Sequence, residues 1–360
     1  MKIVAVGDIM PGGVLAGVDE GYVSQDVLAI LKDADIRVGT LETAIGDEPD
    51  FYEEKMVRKA DVIYVKDHDL IKLQQLSIDI VSLANNHFFD LGPEGALHTI
   101  ELLDQMGIKH IGAGRNLEEA SKPVIIHKDG KSVAFLAFCD WREETVGWCP
   151  FATDDKMGVN PMYDDHVVAE IKKYKAQCDY VVVMPHWGIE YLISPSREVY
   201  EISQLMIDSG VDLILGGHTH CVQPIWNKKK KSIVFSMGNF LFPDRLLTTP
   251  RSTYYPDAQL DYKTLPRTDG YPRYVDCVTY KAWKPIARVG MIVNAVIDDK
   301  GVCCKPIYTR LSDDNYIDIA ECPASIMKIV KRYGFYLSTG HYLMALNLHD
   351  RIRSIFHKLV

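Results

Sequence analysis

Residues 211–220 read Val-Asp-Leu-Ile-Leu-Gly-Gly-His-Thr-His, an apolar run followed by two glycines and a His-x-His pair. The apolar run predicts a short buried strand that ends at Leu215. The glycines let the backbone turn sharply and approach an ion closely. His218 and His220 would then present their ring nitrogens from a loop at the carboxyl end of the strand. One such pair is a modest signal for a metal site, but four other segments end a predicted strand in the same way.

Apolar runs alternate along the chain with amphipathic stretches, which predicts an α/β fold. Several runs are nearly continuous in Val, Ile and Leu, as in strands that are covered on both faces. The predicted strands are Lys2–Val6, Ile36–Leu41, Ile78–Leu83, Val124–Ile126, Val133–Cys139, Tyr180–Met184, Leu213–Leu215, Val289–Ile297 and Val302–Tyr308. The predicted helices are Gln25–Lys32, Asp67–Leu76, Pro93–Met106, Asp164–Ala176 and Arg197–Ser209.

The periodic pattern breaks down between residues 243 and 285, a stretch with several prolines and many Tyr and Arg residues. A loop of this length inside a compact protein is usually functional or an interface, so it could be a lid or a dimer contact. We predict one domain over residues 1–310, with this irregular insertion at 243–285. A mainly helical C-terminal extension is predicted for 311–360. The two lysine-containing turns at 128–131 and 227–231 each predict a hairpin.

Composition narrows the class of protein. The chain has 360 residues, is 47% hydrophobic and has a formal net charge of −9. This acidic balance argues against binding nucleic acid, although a metal ion could still hold a small anionic substrate. No run of about 18 apolar residues is present, so we expect no membrane span. The eight cysteines show no zinc-type spacing, which favours reduced thiols and a cytoplasmic location.

Polar residues follow five of the predicted strands, at the edge where ligands bind in open α/β sheets. Carboxylate, amide and imidazole side chains together suit Zn, Mn or Fe better than Ca. A carboxylate between two ions would give a two-metal site about 3.5–4 Å across. The candidates are Asp8, Glu42, Asn86, His87, His186, His218 and His220.

Each candidate also has an ordinary structural interpretation. Asp8 could cap a helix, Asn86 could form a turn, and His186 could be a hydrogen-bonded core histidine. Their common position at strand ends, in one alternating βα pattern, favours the metal site.

The order of these motifs resembles that of the calcineurin-like metallophosphoesterases. Longer phrases resemble one branch, the CapA family of poly-γ-glutamate capsule synthesis proteins, over roughly Met1–Phe242. These phrases are Gly7-Asp-Ile-Met10, Leu83-Ala-Asn-Asn-His-Phe-Phe-Asp90, His186-Trp-Gly-Ile-Glu-Tyr191, Gly217-His-Thr-His220, Gln223-Pro224 and Ser236-Met-Gly-Asn-Phe-Leu-Phe242.

The resemblance implies a four-layer αββα metallophosphoesterase-like sandwich with two divalent ions at the carboxyl ends of strands. Carried over by position, Glu42 would bridge the ions and His87 would protonate the leaving group. Asp8 and His220 would hold one ion, and Asn86, His186 and His218 would hold the other.

Two positions depart from the superfamily pattern. Met10 stands where a His is usual, and its thioether is a poor ligand for a hard divalent ion. Glu42 stands where Asp is usual. One ion is therefore expected to bind weakly, which leaves one or two ions as alternatives.

Residues with possible substrate contacts form a second set. Glu190, Gln223 and Asn239 lie within the matched motifs and could orient ligands or touch substrate. Arg142, Arg197, Arg245 and Arg251 lie near loops that are close to the predicted site, and they could pair with a carboxylate or phosphate. For each arginine a solvated surface position is the alternative.

The leading functional prediction is a metal-dependent hydrolase that attacks a phosphoester or an amide bond with metal-activated water. The family resemblance adds a γ-glutamyl or peptide-type bond in poly-γ-glutamate or capsule metabolism, hence a small anionic or γ-glutamyl-type substrate. CapA-type proteins are often membrane-anchored, and we expect no membrane span in this sequence. This difference favours a soluble relative that acts on another substrate. The alternative is a catalytically degenerate scaffold that only binds a metal or an anion. A homo-oligomer is compatible with the sequence.

Overall fold

The computed structural model describes residues 1–47, 62–140, 142, 149–248, 252–253, 255, 261–268 and 277–347. Within these residues the chain is a mixed α/β protein. The strands are β1 (Lys2–Ile9), β2 (Ile36–Leu41), β3 (Ala44–Ile45), β4 (Tyr64–Val65), β5 (Ile80–Ser82), β6 (Lys109–Ile111), β7 (Ala113–Gly114), β8 (Val124–Lys128), β9 (Lys131–Cys139), β10 (Gly158–Val159), β11 (Tyr180–His186), β12 (Leu213–Leu215), β13 (Ile225–Lys228), β14 (Lys231–Val234), β15 (Arg245–Thr248), β16 (Ser252–Thr253), β17 (Arg267–Thr268), β18 (Thr279–Lys281), β19 (Val289–Asp298), β20 (Gly301–Leu311) and β21 (Ile317–Ile319).

The helices begin where capping side chains satisfy their first backbone donors. Ser24 and Ser196 each accept a hydrogen bond from the backbone N–H three residues later, as N-cap residues do. The helices are α1 (Gln25–Lys32), α2 (Ile71–Gln75), α3 (Gly92–Gln105), α4 (Leu117–Ala120), α5 (Asp164–Lys175), α6 (Arg197–Ser209) and α7 (Ala324–Thr339).

Two large sheets form the frame. The first has seven strands in the order β21-β20-β19-β1-β2-β5-β6, and β1, β2, β5 and β6 run parallel. The second has six strands in the order β13-β14-β12-β11-β9-β8, and β9, β11, β12 and β14 run parallel. The parallel strands of each sheet therefore end together at one edge, where a ligand site is expected.

The main core lies between the two sheets. Successive side chains of a strand point to opposite faces, and in β11 Val182 and Met184 join the same core cluster as β1. Val181 and Val183 point the other way and pack with residues of α5 and α6. The second sheet is therefore covered on both faces, which explains its continuous apolar sequence. The described chain is an α/β sandwich.

Most predicted elements are present, and several have the predicted bounds. The strands Ile36–Leu41 and Leu213–Leu215 and the helices Gln25–Lys32 and Arg197–Ser209 agree residue for residue. Both lysine-containing turns connect antiparallel hairpins. The predicted helix Asp67–Leu76 is instead a 3₁₀ turn followed by the short α2.

The segment predicted to be irregular, 243–285, contains short strands. In its described part, β15 pairs with β16 and β18, and β17 pairs with β18. Each strand has only two to four residues, so none gives a periodic signal. Beyond residue 310, β21 joins the first sheet before α7 begins.

Candidate metal centre

The parallel strands bring the predicted residues to one edge of the sandwich. Asp8 lies near the end of β1, Glu42 follows β2, and Asn86 follows β5. In the second sheet His186 ends β11, and the loop after β12 contributes His218 and His220. All of these side chains are buried.

One group of side chains converges on Nε2 of His186. This nitrogen lies 3.3 Å from Oε1 of Glu42, 3.1 Å from Nδ1 of His218 and 2.8 Å from Oδ1 of Asn86. Glu42, His186 and His218 each offer a ligand atom within 4.8 Å of one another. These three residues, with Asn86, are called the His186 group below.

A second group contains Asp8, Glu42 and His220, whose ligand atoms also lie within 4.8 Å of one another. Nδ1 of His220 lies 3.8 Å from Oδ2 of Asp8 and 3.9 Å from Oε2 of Glu42. Glu42 belongs to both groups, with one carboxylate oxygen toward each histidine. We call Asp8, Glu42 and His220 the His220 group.

The carboxylates of Asp8 and Glu42 are buried side by side, and a nearby positive charge or a bound proton is needed to offset their repulsion. Burial, and then the negative charge of Glu42, raise the pKa of Asp8 well above its usual range. Burial lowers the pKa of His186 well below its usual value, so its ring favours the neutral form that binds metals. Oδ1 of Asp8 is buried and has no hydrogen-bond partner within the described chain. The donor set and this unsatisfied oxygen fit a divalent cation.

The backbone of the 216–220 loop is shaped to bring these groups together. A Cβ on Gly217 would lie 2.6 Å from Oδ1 of Asp8, so any other residue here would displace that carboxylate. His218 and His220 both have left-handed backbone angles, with φ of 85° and 54°. Such strain in non-glycine residues is often found at functional sites. The N–H of His218 also donates to Oδ2 of Asp8 at 3.1 Å.

His87, the predicted acid, has a partner that the sequence did not identify. Its Nδ1 lies 2.7 Å from Oδ2 of Asp90, which also accepts the backbone N–H of Ile63 at 2.6 Å. Asp90 therefore fixes the orientation of the imidazole. The spacing of three residues between His87 and Asp90 was the available signal, since such neighbours can meet within one turn of chain.

The candidates in the matched motifs differ in position. Oδ1 of Asn239 lies 2.9 Å from Nδ1 of His220, so it is a further oxygen at the His220 group. The Gln223 side chain instead donates to the carbonyl of Leu192 at 2.7 Å and holds a neighbouring loop. Glu190 is half-buried, and its charge tends to raise the pKa of His186.

The candidate arginines have different contacts in the structure. Nη1 of Arg142 donates to both oxygens of Asp140 at 2.8 Å, and the N–H of Asp140 donates to the carbonyl of His186. Arg142 is thus linked through Asp140 to the backbone at the end of β11. Arg197 contacts Asn347 and lies 3.8 Å from Glu201 on its own helix.

Two other arginine predictions concern the 243–285 segment. Arg245 is buried in β15 and donates to Oγ1 of Thr253 at 3.3 Å. Arg251 lies outside the described residues.

Met10 is fully buried and belongs to the main core. Its backbone N–H donates to the carbonyl of Leu241 at 2.7 Å. The position where the superfamily pattern has a histidine is therefore part of the apolar packing here.

Aromatic rings surround His220. The ring centroids of Trp283, Phe242 and Tyr191 lie 4.8, 5.5 and 6.2 Å from that of His220. These residues are distant in sequence from His220, and no local pattern links them to it. The surrounding rings limit access of water to this side of the site.

The fold and the site together define an α/β sandwich with two adjoining groups of candidate metal ligands at the carboxyl ends of its strands. The model of the bacterial capsule synthesis protein family PGA_cap matches residues 2–244. The chain belongs to this family of bacterial capsule synthesis proteins.

Individual relatives agree with this assignment. The capsule biosynthesis protein CapA of Bacillus anthracis is 30% identical over 253 residues, which cover 67% of this chain and 60% of that protein. The PGA biosynthesis protein CapA of Bacillus subtilis (strain 168) is 28% identical over 242 residues, or 66% of this chain and 62% of that protein. The matches thus span about three fifths of either relative.

Among solved structures, a hypothetical protein from Thermus thermophilus is similar with a TM-score of 0.47 and 14% identity. The similarity covers 86% of this chain and 98% of that one. Within the described residues, no helix combines the length and the apolar character needed to cross a membrane.

Proposed function

We propose that this protein is a metal-dependent hydrolase with a two-metal centre, on a four-layer αββα metallophosphoesterase-like sandwich. The observation that carries the proposal is the sharing of Glu42 between two groups of buried ligands. Asn86, His186 and His218 would hold one ion, and Asp8 and His220 the other, with Glu42 between them. Mn, Zn or Fe suits these oxygen and nitrogen donors.

Bound divalent ions would supply a water of lowered pKa and positive charge beside the scissile bond. The chain's own residues do the rest. Asp90 holds the Nδ1 proton of His87, so Nε2 of His87 is the atom that would deliver a proton to the leaving group. Buried side chains around the site limit competing water.

The substrate we propose is a small anionic or γ-glutamyl-type compound, with a phosphoester or a γ-glutamyl or peptide-type bond cleaved. Capsule biosynthesis and PGA biosynthesis in the names of the Bacillus relatives support the γ-glutamyl class. Arg142 supports an anion, because one of its nitrogens is anchored by Asp140 while the guanidinium carries further donors. The eight cysteines, none of which forms a disulfide, support a cytoplasmic location.

Metal analysis of the purified protein, paired with rate measurements, tests the proposal. We expect bound divalent metal and turnover of an aryl phosphate or of γ-glutamyl-p-nitroanilide that increases with Mn²⁺ or Zn²⁺. The His87→Ala variant should lose about 10²- to 10⁴-fold in kcat, as for loss of a general acid. A matched control is His98→Ala, which removes an exposed imidazole that contacts Asp67.

A protein with no divalent metal and no gain of activity on adding Mn²⁺ or Zn²⁺ would refute the proposal. Bound metal without turnover of any substrate would favour the alternative, a scaffold that binds a metal or an anion. Poly-γ-glutamate itself should be included, since its cleavage would identify the bond class directly.

A further inference from the structure

The segment after β11 is fixed onto the loop that carries the two histidines. Tyr191 has a left-handed backbone angle, φ 64°, and its N–H donates to the carbonyl of Thr219 at 2.8 Å. The next carbonyl, of Leu192, accepts from Nε2 of Gln223 at 2.7 Å. A non-glycine residue keeps such an angle only where its surroundings enforce it. The position of Tyr191 is therefore built into the candidate site.

The Tyr191 ring contacts both a histidine of the site and a lysine. Its centroid is 6.2 Å from the ring centroid of His220, and Nζ of Lys284 lies 4.1 Å from the Tyr191 centroid. These distances place Nζ within about 10 Å of the His220 ring, the reach of about three extended residues. A cation–π contact of this kind holds an otherwise flexible ammonium near one place.

Trp283, the residue before Lys284, is held in place by buried contacts. The Trp283 ring packs on His220 at 4.8 Å, and its backbone N–H donates to Oδ1 of Asp244 at 2.8 Å. Asp244 is buried and pairs with Arg288 at 2.5 Å. Because Trp283 is fixed inward, the next residue emerges next to the site, and Lys284 is exposed.

Lys284 is a cation without a carboxylate partner among the described residues; its contact there is with the Tyr191 ring. A lysine ammonium is a compact point charge that pairs with one anionic group, and a γ-glutamyl-type substrate carries such a group in its α-carboxylate. Lys284 thus offers one exposed positive charge within about 10 Å of the His220 ring.

We propose that Lys284, positioned by Tyr191, binds a carboxylate of the substrate other than the group being cleaved. This inference rests on the proposed hydrolase function and sharpens its substrate class. The favoured substrates carry a free carboxylate a short distance from the scissile bond, as the α-carboxylate of a γ-glutamyl compound does.

Matched substrate pairs test the role of Lys284. One pair is γ-glutamyl-p-nitroanilide and 4-aminobutyryl-p-nitroanilide, which lacks only the α-carboxylate. The other pair is 4-carboxyphenyl phosphate and phenyl phosphate. The wild type should prefer the carboxylate member through a lower KM. Lys284→Met should reduce that preference about tenfold, mainly in KM, the effect of one charge-assisted contact. Lys284→Arg should largely restore it.

The positioning role of Tyr191 has its own variants. Tyr191→Phe keeps the ring and should keep the preference, whereas Tyr191→Leu should lose part of it in KM. Lys229→Met, in the turn between β13 and β14, removes an exposed lysine elsewhere and should leave the preference unchanged. Equal KM changes for both members of a pair, or no rescue by Lys284→Arg, would overturn the inference.

A binding measurement separates this inference from the hydrolase proposal. If the wild type cleaves none of the substrates, the hydrolase proposal fails. Calorimetry on the Mn²⁺-loaded protein with glutarate and with butyrate still tests whether Lys284 binds a carboxylate. We expect glutarate to bind more tightly than butyrate, and Lys284→Met to remove most of the difference. Equal binding of the two acids by the wild type, or an unchanged difference in the variant, would overturn the role of Lys284.

Discussion

The two ligand groups that share Glu42 are built differently. In the His186 group one imidazole, one carboxylate and one amide oxygen lie 2.8–3.3 Å from the ring nitrogen Nε2 of His186. In the His220 group the single imidazole lies 3.8 and 3.9 Å from the two carboxylates. Met10, where a second imidazole would be usual, belongs to the core. We therefore expect the His186 group, which has more nitrogen donors, to bind its ion more tightly than the His220 group, which has more carboxylate donors.

The shared residue gives the largest expected effect. Glu42→Gln should reduce bound metal at both groups and abolish measurable turnover. In the wild type, Mn²⁺ at a hundredfold excess over its Kd should stabilise the fold by about 2.7 kcal/mol per ion. The variant should lose that stabilisation. Metal-free Glu42→Gln should be at least as stable as metal-free wild type, because Glu42 no longer raises the pKa of Asp8 by its negative charge.

Metal analysis and thermal unfolding with and without Mn²⁺ measure both effects. Exposed Glu118→Gln, at the start of α4, is a matched control. Unchanged stoichiometry in Glu42→Gln would show that the two groups do not share this carboxylate.

The two histidines of one loop separate the groups. His218→Ala should remove the tighter ion, and His220→Ala should remove the weaker one while the tighter ion stays. Stoichiometry at rising Mn²⁺ concentration, with the two variants measured side by side, distinguishes these losses. Equal loss in both variants would argue that the groups are equivalent or bind a single ion.

Local patterns predicted much of the frame, because strand and helix periodicity is a property of short segments. Where strands extend beyond the prediction, most of the added residues are polar, glycine or proline. In β1, Asp8 pairs in register with Thr40, and β11 continues through Pro185 to His186. Backbone pairing with a neighbouring strand extends these elements, and no apolar signal marks it.

The candidate ligands could be predicted because each follows a recognisable strand. The residues that surround these ligands could not be predicted from the sequence. Trp283 packs on His220 across 63 positions of sequence, and its location depends on the short strands of the 243–285 segment. The ligand role of the converging residues stays a prediction that metal analysis tests.

Asn239 offers a smaller and more specific change to the His220 group. Its Oδ1 contacts His220, and its Nδ2 donates to the carbonyl of Ala287 at 3.1 Å. Asn239→Leu removes both contacts and should weaken the ion at the His220 group about 10- to 100-fold, as loss of ligand-supporting partners does. Asn239→Asp keeps an oxygen for His220 while it also loses the donor to Ala287, so it should retain affinity. If both variants weaken binding of the ion equally, the ion's affinity depends on the contact with Ala287 and not on the oxygen at His220.

Met10→His should produce the smallest effect and the only gain. It places an imidazole where the superfamily pattern has one, so the His220 group would have the second nitrogen donor that the His186 group already has. We expect the weaker ion to bind about tenfold more tightly, equivalent to roughly 1.4 kcal/mol. Burial of a polar ring in the core should also lower the stability of the metal-free protein. Met10→Leu keeps the side chain apolar and of similar volume, so it should change neither property by much. Titration of Mn²⁺ into the three proteins measures the gain, and an unchanged affinity in Met10→His would mean that the two groups differ for a reason other than the missing imidazole.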